Sequence, residues 1–210
     1  MKRTRVKLCG LTREQDIQAA VAHGADAIGL VFYDKSARAV DVEQARALAA
    51  TVPAFVTLVG LFVDADPALV QAVLKRVPLG ALQFHGAEPP DYCCAFDRPW
   101  IKAVAVREGV DLARIDKDYQ SAASLLLDTY DPKKAGGTGR CFDWDLVPAW
   151  LAPRSILAGG LTPENVAAAI AQVRPHAVDV SGGIEQDKGN KDSAKIQTFM
   201  QEVANGDQSR

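Results

Sequence analysis

No stretch of this 210-residue chain approaches the roughly 18 consecutive apolar residues that a membrane span requires. Cysteine is scarce. The four present, Cys9, Cys93, Cys94 and Cys141, include no C-x-x-C pair and do not form a disulfide framework. Grouping His85 with Cys93, Cys94 and Cys141 matches no common zinc spacing, so no metal is expected. Charge of one sign is also missing. Lysine plus arginine number 24 against 26 aspartate plus glutamate, a net charge of −2, which gives no general attraction to nucleic acid or to an anionic membrane. Any anion must therefore be caught by a local site. The basic start, Met1 to Arg5, is followed by too few apolar residues before Arg13 and Glu14 to be a signal-peptide core. The expected setting is the reducing cytoplasm, and the expected state is a monomer.

What is present is an alternation of two hydrophobic periods. Arg5–Cys9, Ala27–Phe32, Phe55–Val63, Ala81–His85, Trp100–Ala105, Ser124–Asp128, Ile156–Ala158 and Ala177–Val180 read as strands. Helical stripes lie between several of them: Ile17/Ala20/Val21, Ala45/Leu48/Ala49, Val70/Val73/Leu74, Val166/Ala169/Ile170 and a last one at Ile196/Phe199/Val203. Thr12 with Gln15, Asp41 with Gln44, Asp66-Pro67 and Thr162-Pro163 carry helix-start chemistry. The helices after strands four and five read as short. No linker or composition shift divides the chain, so residues 1–204 are expected to be one domain, with 205–210 a polar tail that frays.

Eight strands alternating with helices fit an open doubly wound sheet or a closed barrel. Strand faces favour the barrel. Val6 and Leu8 oppose Lys7 and Cys9; Leu82 and Phe84 oppose Gln83 and His85; Leu125 and Leu127 oppose Leu126 and Asp128. An apolar face against helices and polar side chains at the C-terminal strand ends on the other is the barrel pattern, which places chemistry at those ends. The expected fold is α/β, a single compact (β/α)8 TIM barrel with eight parallel strands; at 210 residues its loops must be short.

Two glycine pairs leave the last two strands, Gly159-Gly160 and, after Ser181, Gly182-Gly183. Glycine lets backbone N–H groups close on an anion, and in such barrels these two loops are the usual phosphate site. Cys9 ends strand one with Lys7 on the same face; a neighbouring ammonium should lower its thiol pKa from about 8.5 toward neutrality and make it a base or nucleophile. Asp128 ends strand six behind three leucines, a setting for a general acid. Arg38, in Ser36-Ala37-Arg38, can grip a carboxylate through two parallel N–H groups. Gly136-Gly137-Thr138-Gly139 suggests a mobile loop.

With these residues in view, the sequence resembles the phosphoribosylanthranilate isomerases of tryptophan biosynthesis. Lys7-Leu8-Cys9-Gly10-Leu11-Thr12, Ser36-Ala37-Arg38, Gln83-Phe84-His85-Gly86, Leu127-Asp128, Gly136–Gly139 with Phe142-Asp143-Trp144, Ala158-Gly159-Gly160-Leu161 and Asp179-Val180-Ser181-Gly182-Gly183 stand in that family's order, from Lys7 to about Val203. Two positions depart: Ala37 where the family often has proline, which should leave the Arg38 loop less pre-ordered, and Phe84 where leucine is frequent, which should matter only for packing.

The resemblance implies a cofactor-free Amadori rearrangement of a phosphorylated small molecule. N-(5-phosphoribosyl)anthranilate would become 1-(2-carboxyphenylamino)-1-deoxyribulose 5-phosphate. Asp128 would be the general acid and Cys9 the base. Lys7, Arg38, Gln83, His85 and Asp179 would bind substrate, and Gly159, Gly160, Ser181, Gly182 and Gly183 would hold its phosphate. Three other readings share the glycine pairs. A sugar-phosphate epimerase or aldolase leaves Cys9 unexplained. A histidine-pathway isomerase usually has two aspartates. A metabolite sensor has no need of Cys9 and Asp128 together.

Overall fold

The computed structural model describes residues 3–129 and 141–209; Gly136–Gly139 fall outside them. Eight parallel strands close into one barrel in sequence order: β1 (Arg5–Cys9), β2 (Ala27–Phe32), β3 (Thr57–Phe62), β4 (Ala81–Phe84), β5 (Trp100–Val106), β6 (Ser124–Thr129), β7 (Ser155–Leu157) and β8 (Ala177–Val180). The seam is β1 on β8, with Lys7 level with Asp179 and Leu8 with Val180. Among the described residues seven α-helices accompany the strands: α1 (Glu14–Ala22), α2 (Val42–Ala49), α3 (Pro67–Arg76), α4 (Pro90–Cys94), α5 (Leu112–Asp118), α6 (Val166–Val173) and α7 (Ser193–Gln208). Between β6 and β7 the described chain makes only two 3₁₀ turns, Trp144–Leu146 and Ala152–Arg154.

The alternation within strands sorts the core into layers. Val6, Leu8, Leu82, Phe84, Leu125 and Leu127 point outward and are buried beneath the helices. Val59, Ala81, Ile101, Leu126, Ile156 and Ala177 fill the barrel interior. Above them, toward the C-terminal mouth, sit Cys9, Val31 and Leu61. Each fully buried leucine contributes about 1.5–3 kcal/mol relative to exposure. A shift of β4 by one residue would put Phe84 inside and His85 outside, so the burial that stabilises the fold also aims the site. Phe84 does pack outward, with Tyr92 of α4, Phe96 just beyond that helix and Trp100 of β5.

Two of the four expected helix starts, at Asp41 and Asp66, follow the local chemistry. Asp41 accepts from Gln44 N and Asp66 from Ala68 N, with Pro67 in the first turn. Thr12 does not cap α1. Its hydroxyl donates to Gly189 O at 2.8 Å, and α1 starts after Arg13 with no side-chain cap. Thr162 does accept from Glu164 N, but regular α6 begins only at Val166. Phe55 and Val56 are not strand: Phe55 turns at φ 72° and is fully exposed.

Two further expectations need correction. Residues 205–208, expected as part of a fraying tail, are helical, because α7 continues to Gln208. Asp207 accepts from Thr4 N (2.8 Å) and Thr4 Oγ1 (2.5 Å), and buried Gly206 lies so close to Ala167 of α6 that a Cβ there would sit 3.0 Å from its backbone. The chain after β8 also carries structure that the alternation did not announce. A 3₁₀ turn, Gly182–Ile184, leads into an antiparallel hairpin, β9 (Glu185–Asp187) and β10 (Asn190–Lys191), turning at Gly189 with φ 89°.

Candidate active site

The C-terminal ends of the barrel strands surround a cavity of about 450 Å³. Its lining brings together Cys9, Arg38, Gln83, His85, Asp128, Asp179 and both glycine loops, Gly159-Gly160 and Ser181-Gly182-Gly183. Lys7 lies just below, 4% exposed. Every residue expected from the sequence to act on substrate is therefore at one end of one barrel. Tyr33, Lys35 and Lys188 join the lining and were not anticipated.

Cys9 and Lys7 share the inner face of β1, as period-two alternation requires. Gly29 on β2 makes room for both: a Cβ there would stand 2.7 Å from Cys9 Sγ and 3.2 Å from Lys7 Cε. Lys7 Nζ donates to Asp179 Oδ1 at 2.7 Å across the β1–β8 seam. Burial opposes the Lys7 charge, but Asp179 and Cys9 outweigh it and hold the ammonium above its ordinary range. The expectation that Lys7 brings the thiol toward neutrality is not met. Burial of Cys9 exceeds the pull of Lys7, whose charge is shared with Asp179, and the thiol is raised.

Asp128, the last residue but one of β6, has both oxygens engaged. Oδ1 accepts from Thr129 N at 2.7 Å, and Oδ2 lies 3.1 Å from His85 Nε2. His85 follows β4, where its N–H donates to Phe62 O. Its loop is fixed by Glu88, which accepts from Gly86 N, Asp64 N and Lys102 Nζ. His85 Nδ1 lies 2.9 Å from Gln83 Nε2. Gln83 itself has no exposed surface, so the contact its amide makes is with His85. Gly159, at φ 79°, has to be glycine: a Cβ would lie 2.6 Å from Thr129 N and 2.9 Å from Asp128 Oδ1.

Arg38 sits in a loop ordered by Ser36, whose hydroxyl accepts from Arg38 N while its carbonyl accepts from Ala39 N. Ala37 therefore does not leave the loop without local order. The Arg38 guanidinium is gripped side-on by Glu185, Nε to Oε1 at 2.6 Å and Nη2 to Oε2 at 2.7 Å. Glu185 also accepts from Lys191 Nζ at 3.0 Å. Burial would raise the Glu185 carboxyl, but the bonds from Arg38 and Lys191 hold it below its usual range, while burial pulls the Lys191 ammonium down. Lys191 Nζ donates further to Ser181 O (3.0 Å) and Oγ (3.3 Å), and Ser181 Oγ donates to Cys9 O at 2.9 Å. The hairpin thus ties the Arg38 loop, the last glycine loop and β1 into one unit. Sequence reasoning missed Glu185 and Lys191; the turn signal Asp187-Lys188-Gly189-Asn190 between β8 and α7 could have revealed the hairpin.

The arrangement can give a proton from one side of a bound sugar, at Asp128, and take one from another, at Cys9, beside two loops shaped for an anion. Residues 6–202 match the family model described as N-(5'phosphoribosyl)anthranilate (PRA) isomerase. A protein of Pseudomonas fluorescens named N-(5'-phosphoribosyl)anthranilate isomerase is 58% identical over 209 residues, covering 100% of both chains. The crystal structure of phosphoribosyl anthranilate isomerase from Thermotoga maritima superposes with a TM-score of 0.88 at 42% identity, covering 96% of this chain and 98% of that one. A second such structure, in complex with reduced 1-(o-carboxyphenylamino)-1-deoxyribulose 5-phosphate, gives a TM-score of 0.84 at 39% identity, with 96% and 98% covered. The chain belongs to the N-(5'-phosphoribosyl)anthranilate isomerase family.

Proposed function

We propose that this chain converts N-(5'-phosphoribosyl)anthranilate to 1-(2-carboxyphenylamino)-1-deoxyribulose 5-phosphate, the isomerisation of tryptophan biosynthesis, with Asp128 as general acid and Cys9 as general base. The observation that carries the assignment of roles is that these two side chains, from β1 and β6, line one cavity together with the glycine loops after β7 and β8.

Asp128 gives a proton to the ribose ring oxygen as the bond from that oxygen to C1 breaks. The anilino nitrogen lone pair closes the C=N bond, producing an open-chain Schiff base. The imine acidifies the proton on C2, and the Cys9 thiolate removes it. The electron pair moves through C1 to nitrogen, leaving an enol-amine. Loss of the proton from the C2 hydroxyl and gain of one at C1 complete the ketone. Proton transfers of this kind each contribute about 10²–10⁴-fold. Lys7 stabilises the thiolate, and Asp179 keeps Lys7 in place and faces the sugar.

Arg38 binds the anthranilate carboxylate. A guanidinium has five N–H groups; Glu185 takes the Nε–Nη2 edge, which leaves the Nη1–Nη2 edge for a second carboxylate. Backbone N–H groups of Gly159, Gly160, Ser181, Gly182 and Gly183 bind the phosphate, supported by the positive φ of Gly159 and Gly160. His85 and Gln83 act on Asp128. The protein works as a monomer in the cytoplasm: the exposed large hydrophobic residues among the described ones, Phe55, Leu69 and Trp150, lie on separate elements.

The test is decay of substrate fluorescence on adding purified protein. The wild type is expected to accelerate it, and Cys9→Ser and Asp128→Asn each to lower kcat by about 10²–10⁴-fold while still binding a product analogue. An inactive wild type would overturn the reaction; a folded Cys9→Ser enzyme with near-normal kcat would overturn the role of the thiol.

A further inference from the structure

Gln83 Oε1 is buried without a hydrogen-bond partner among the described residues. A buried orphan acceptor costs about 1–3 kcal/mol, yet the same side chain spends its amide nitrogen on His85. An amide nitrogen only donates, so in this arrangement Nδ1 of His85 is the unprotonated ring nitrogen. The ring hydrogen is then on Nε2 and points at Asp128 Oδ2, 3.1 Å away. That state serves a carboxylate. Half a turn of the Gln83 amide exchanges its ends. Oε1 then faces Nδ1 and accepts a hydrogen from it, and the ring can hold hydrogens on both nitrogens. In that orientation the amide nitrogen takes the buried position that the oxygen leaves.

We propose that Gln83 is a positioning residue whose amide orientation selects the proton arrangement of His85 and so recharges Asp128 as the acid. The idea rests on Asp128 being the general acid. The proton balance is simple. With Oε1 at Nδ1, one proton enters the pair from solvent through His85, which borders the cavity. The ring then carries Nδ1–H, held by Gln83, and its Nε2 proton passes to Asp128 Oδ2. Asp128 delivers that proton to the ring oxygen of the sugar and is left as carboxylate. Loss of the Nδ1 proton to solvent and uptake of one at Nε2 return His85 to its Nε2–H form, and with Gln83 Nε2 at Nδ1 it then supports the carboxylate. No bond other than N–H and O–H changes.

Gln83 can do this because alternation on β4 puts it and His85 on the inner face two residues apart, while Leu82 and Phe84 are locked outward under the helices. The backbone on either side is held, by pairing with β3 and β5 and by the bond from His85 N to Phe62 O. The device is therefore one side-chain torsion within a rigid frame. It also explains why a fully buried residue stands among the site motifs: it reaches substrate through two partners.

The experiment uses the whole protein labelled with ¹⁵N-histidine, of which there are three residues, the His85 signal being identified by its loss in His85→Asn. In the wild type without ligand, His85 is expected as the Nε2–H form. Gln83→Glu, which only accepts, is expected to hold a hydrogen on Nδ1. Gln83→Leu is expected to leave both forms populated. Kinetically, Gln83→Leu should lower kcat about 10²-fold with KM within about threefold, and Gln83→Glu should recover at least about tenfold of that loss. Unchanged His85 protonation across the three proteins would overturn the proposal. So would a wild-type kcat in Gln83→Leu, or a loss confined to KM, which would make Gln83 a direct substrate ligand. Should Gln83→Leu fail to fold, the Gln83→Glu spectrum decides alone. Because the spectra need no turnover, failure here is distinct from failure of the wild type to isomerise the substrate.

Discussion

Arg38 and Glu185 face each other edge to edge, 147 residues apart in sequence, with two nitrogen–oxygen distances of 2.6 and 2.7 Å. A substrate carboxylate does not have to displace Glu185, because the other guanidinium edge remains. Glu185 fixes the plane of the fork, and Lys191 fixes Glu185. Arg38→Met keeps length and apolar stem but removes both edges. The expected loss in kcat/KM is about 2–3 kcal/mol, the range for a charge-assisted pair, expressed mainly in KM. An analogue without the anthranilate carboxylate should lose far less. Equal losses on the two compounds would mean that Arg38 serves only to neutralise Glu185.

The two glycines of the last pair are not equivalent. A Cβ on Gly183 would lie 2.0 Å from Leu161 O, a backbone atom that cannot yield, whereas one on Gly182 would meet nothing nearer than Arg38 Nη2 at 3.6 Å. Gly183→Ala should therefore lower the melting temperature and disturb the loop. Gly182→Ala should leave stability unchanged. Gly182→Asp should fold but raise KM by at least about tenfold, equivalent to about 1.4 kcal/mol of lost binding, since its carboxylate would meet the phosphate. Thermal melts and KM together check this; an unchanged KM in folded Gly182→Asp removes the phosphate from that loop.

The C-terminal turn of α7 ought to matter for stability. Asp207→Ala removes the acceptor for both Thr4 N and Thr4 Oγ1. The expected cost is about 1–3 kcal/mol by denaturant titration, with kcat unaltered because the contact lies at the opposite end of β1 from Cys9. A variant indistinguishable from the wild type would mean that the end of α7 frays in solution.

What could be read in the sequence, and what could not, divides along one physical line. Strand faces are set by burial, which period-two patterning records residue by residue. Lys7 with Cys9, Gln83 with His85 and Leu126 with Asp128 were placed correctly for that reason. The glycine pairs were legible because positive φ and close approach leave a compositional mark. Partner choice among polar groups left none. Thr12 reads as a cap, but the carbonyl of Gly189, from the far end of the chain, takes its hydrogen. Glu185 and Lys191 look like ordinary surface charges until the hairpin folds them under Arg38. The sense of the Cys9 shift failed similarly: the alternation shows that Lys7 is adjacent, but not that Asp179 shares its charge or that both are buried.

The four cysteines should separate by chemistry. Cys94 and Cys141 are exposed; Cys93 is buried, and burial pushes its thiol up to about 12; Cys9 is 5% exposed with its thiol raised by burial against the opposing pull of Lys7. Alkylation by iodoacetamide proceeds through the thiolate. Cys94 should therefore react first with no loss of activity. Cys9 should follow more slowly, with activity lost in step, and Cys93 should resist until the protein unfolds. A bound product analogue should protect Cys9 alone. The same shift fixes two pH dependences. Because the folded-state pKa is raised above the unfolded value, about 8.5 for a free thiol, the rising limb of kcat/KM should lie on the alkaline side of an ordinary thiol. By linkage, the stability that a neutral Cys9 provides is fully present below the unfolded pKa and is lost as pH climbs through the folded one. Cys9→Ser should flatten that alkaline loss of stability while lowering kcat by about 10²–10⁴-fold. Mass-spectrometric site occupancy measured alongside residual activity decides the order, and inactivation that tracks Cys94 or Cys141 would remove Cys9 from the base position.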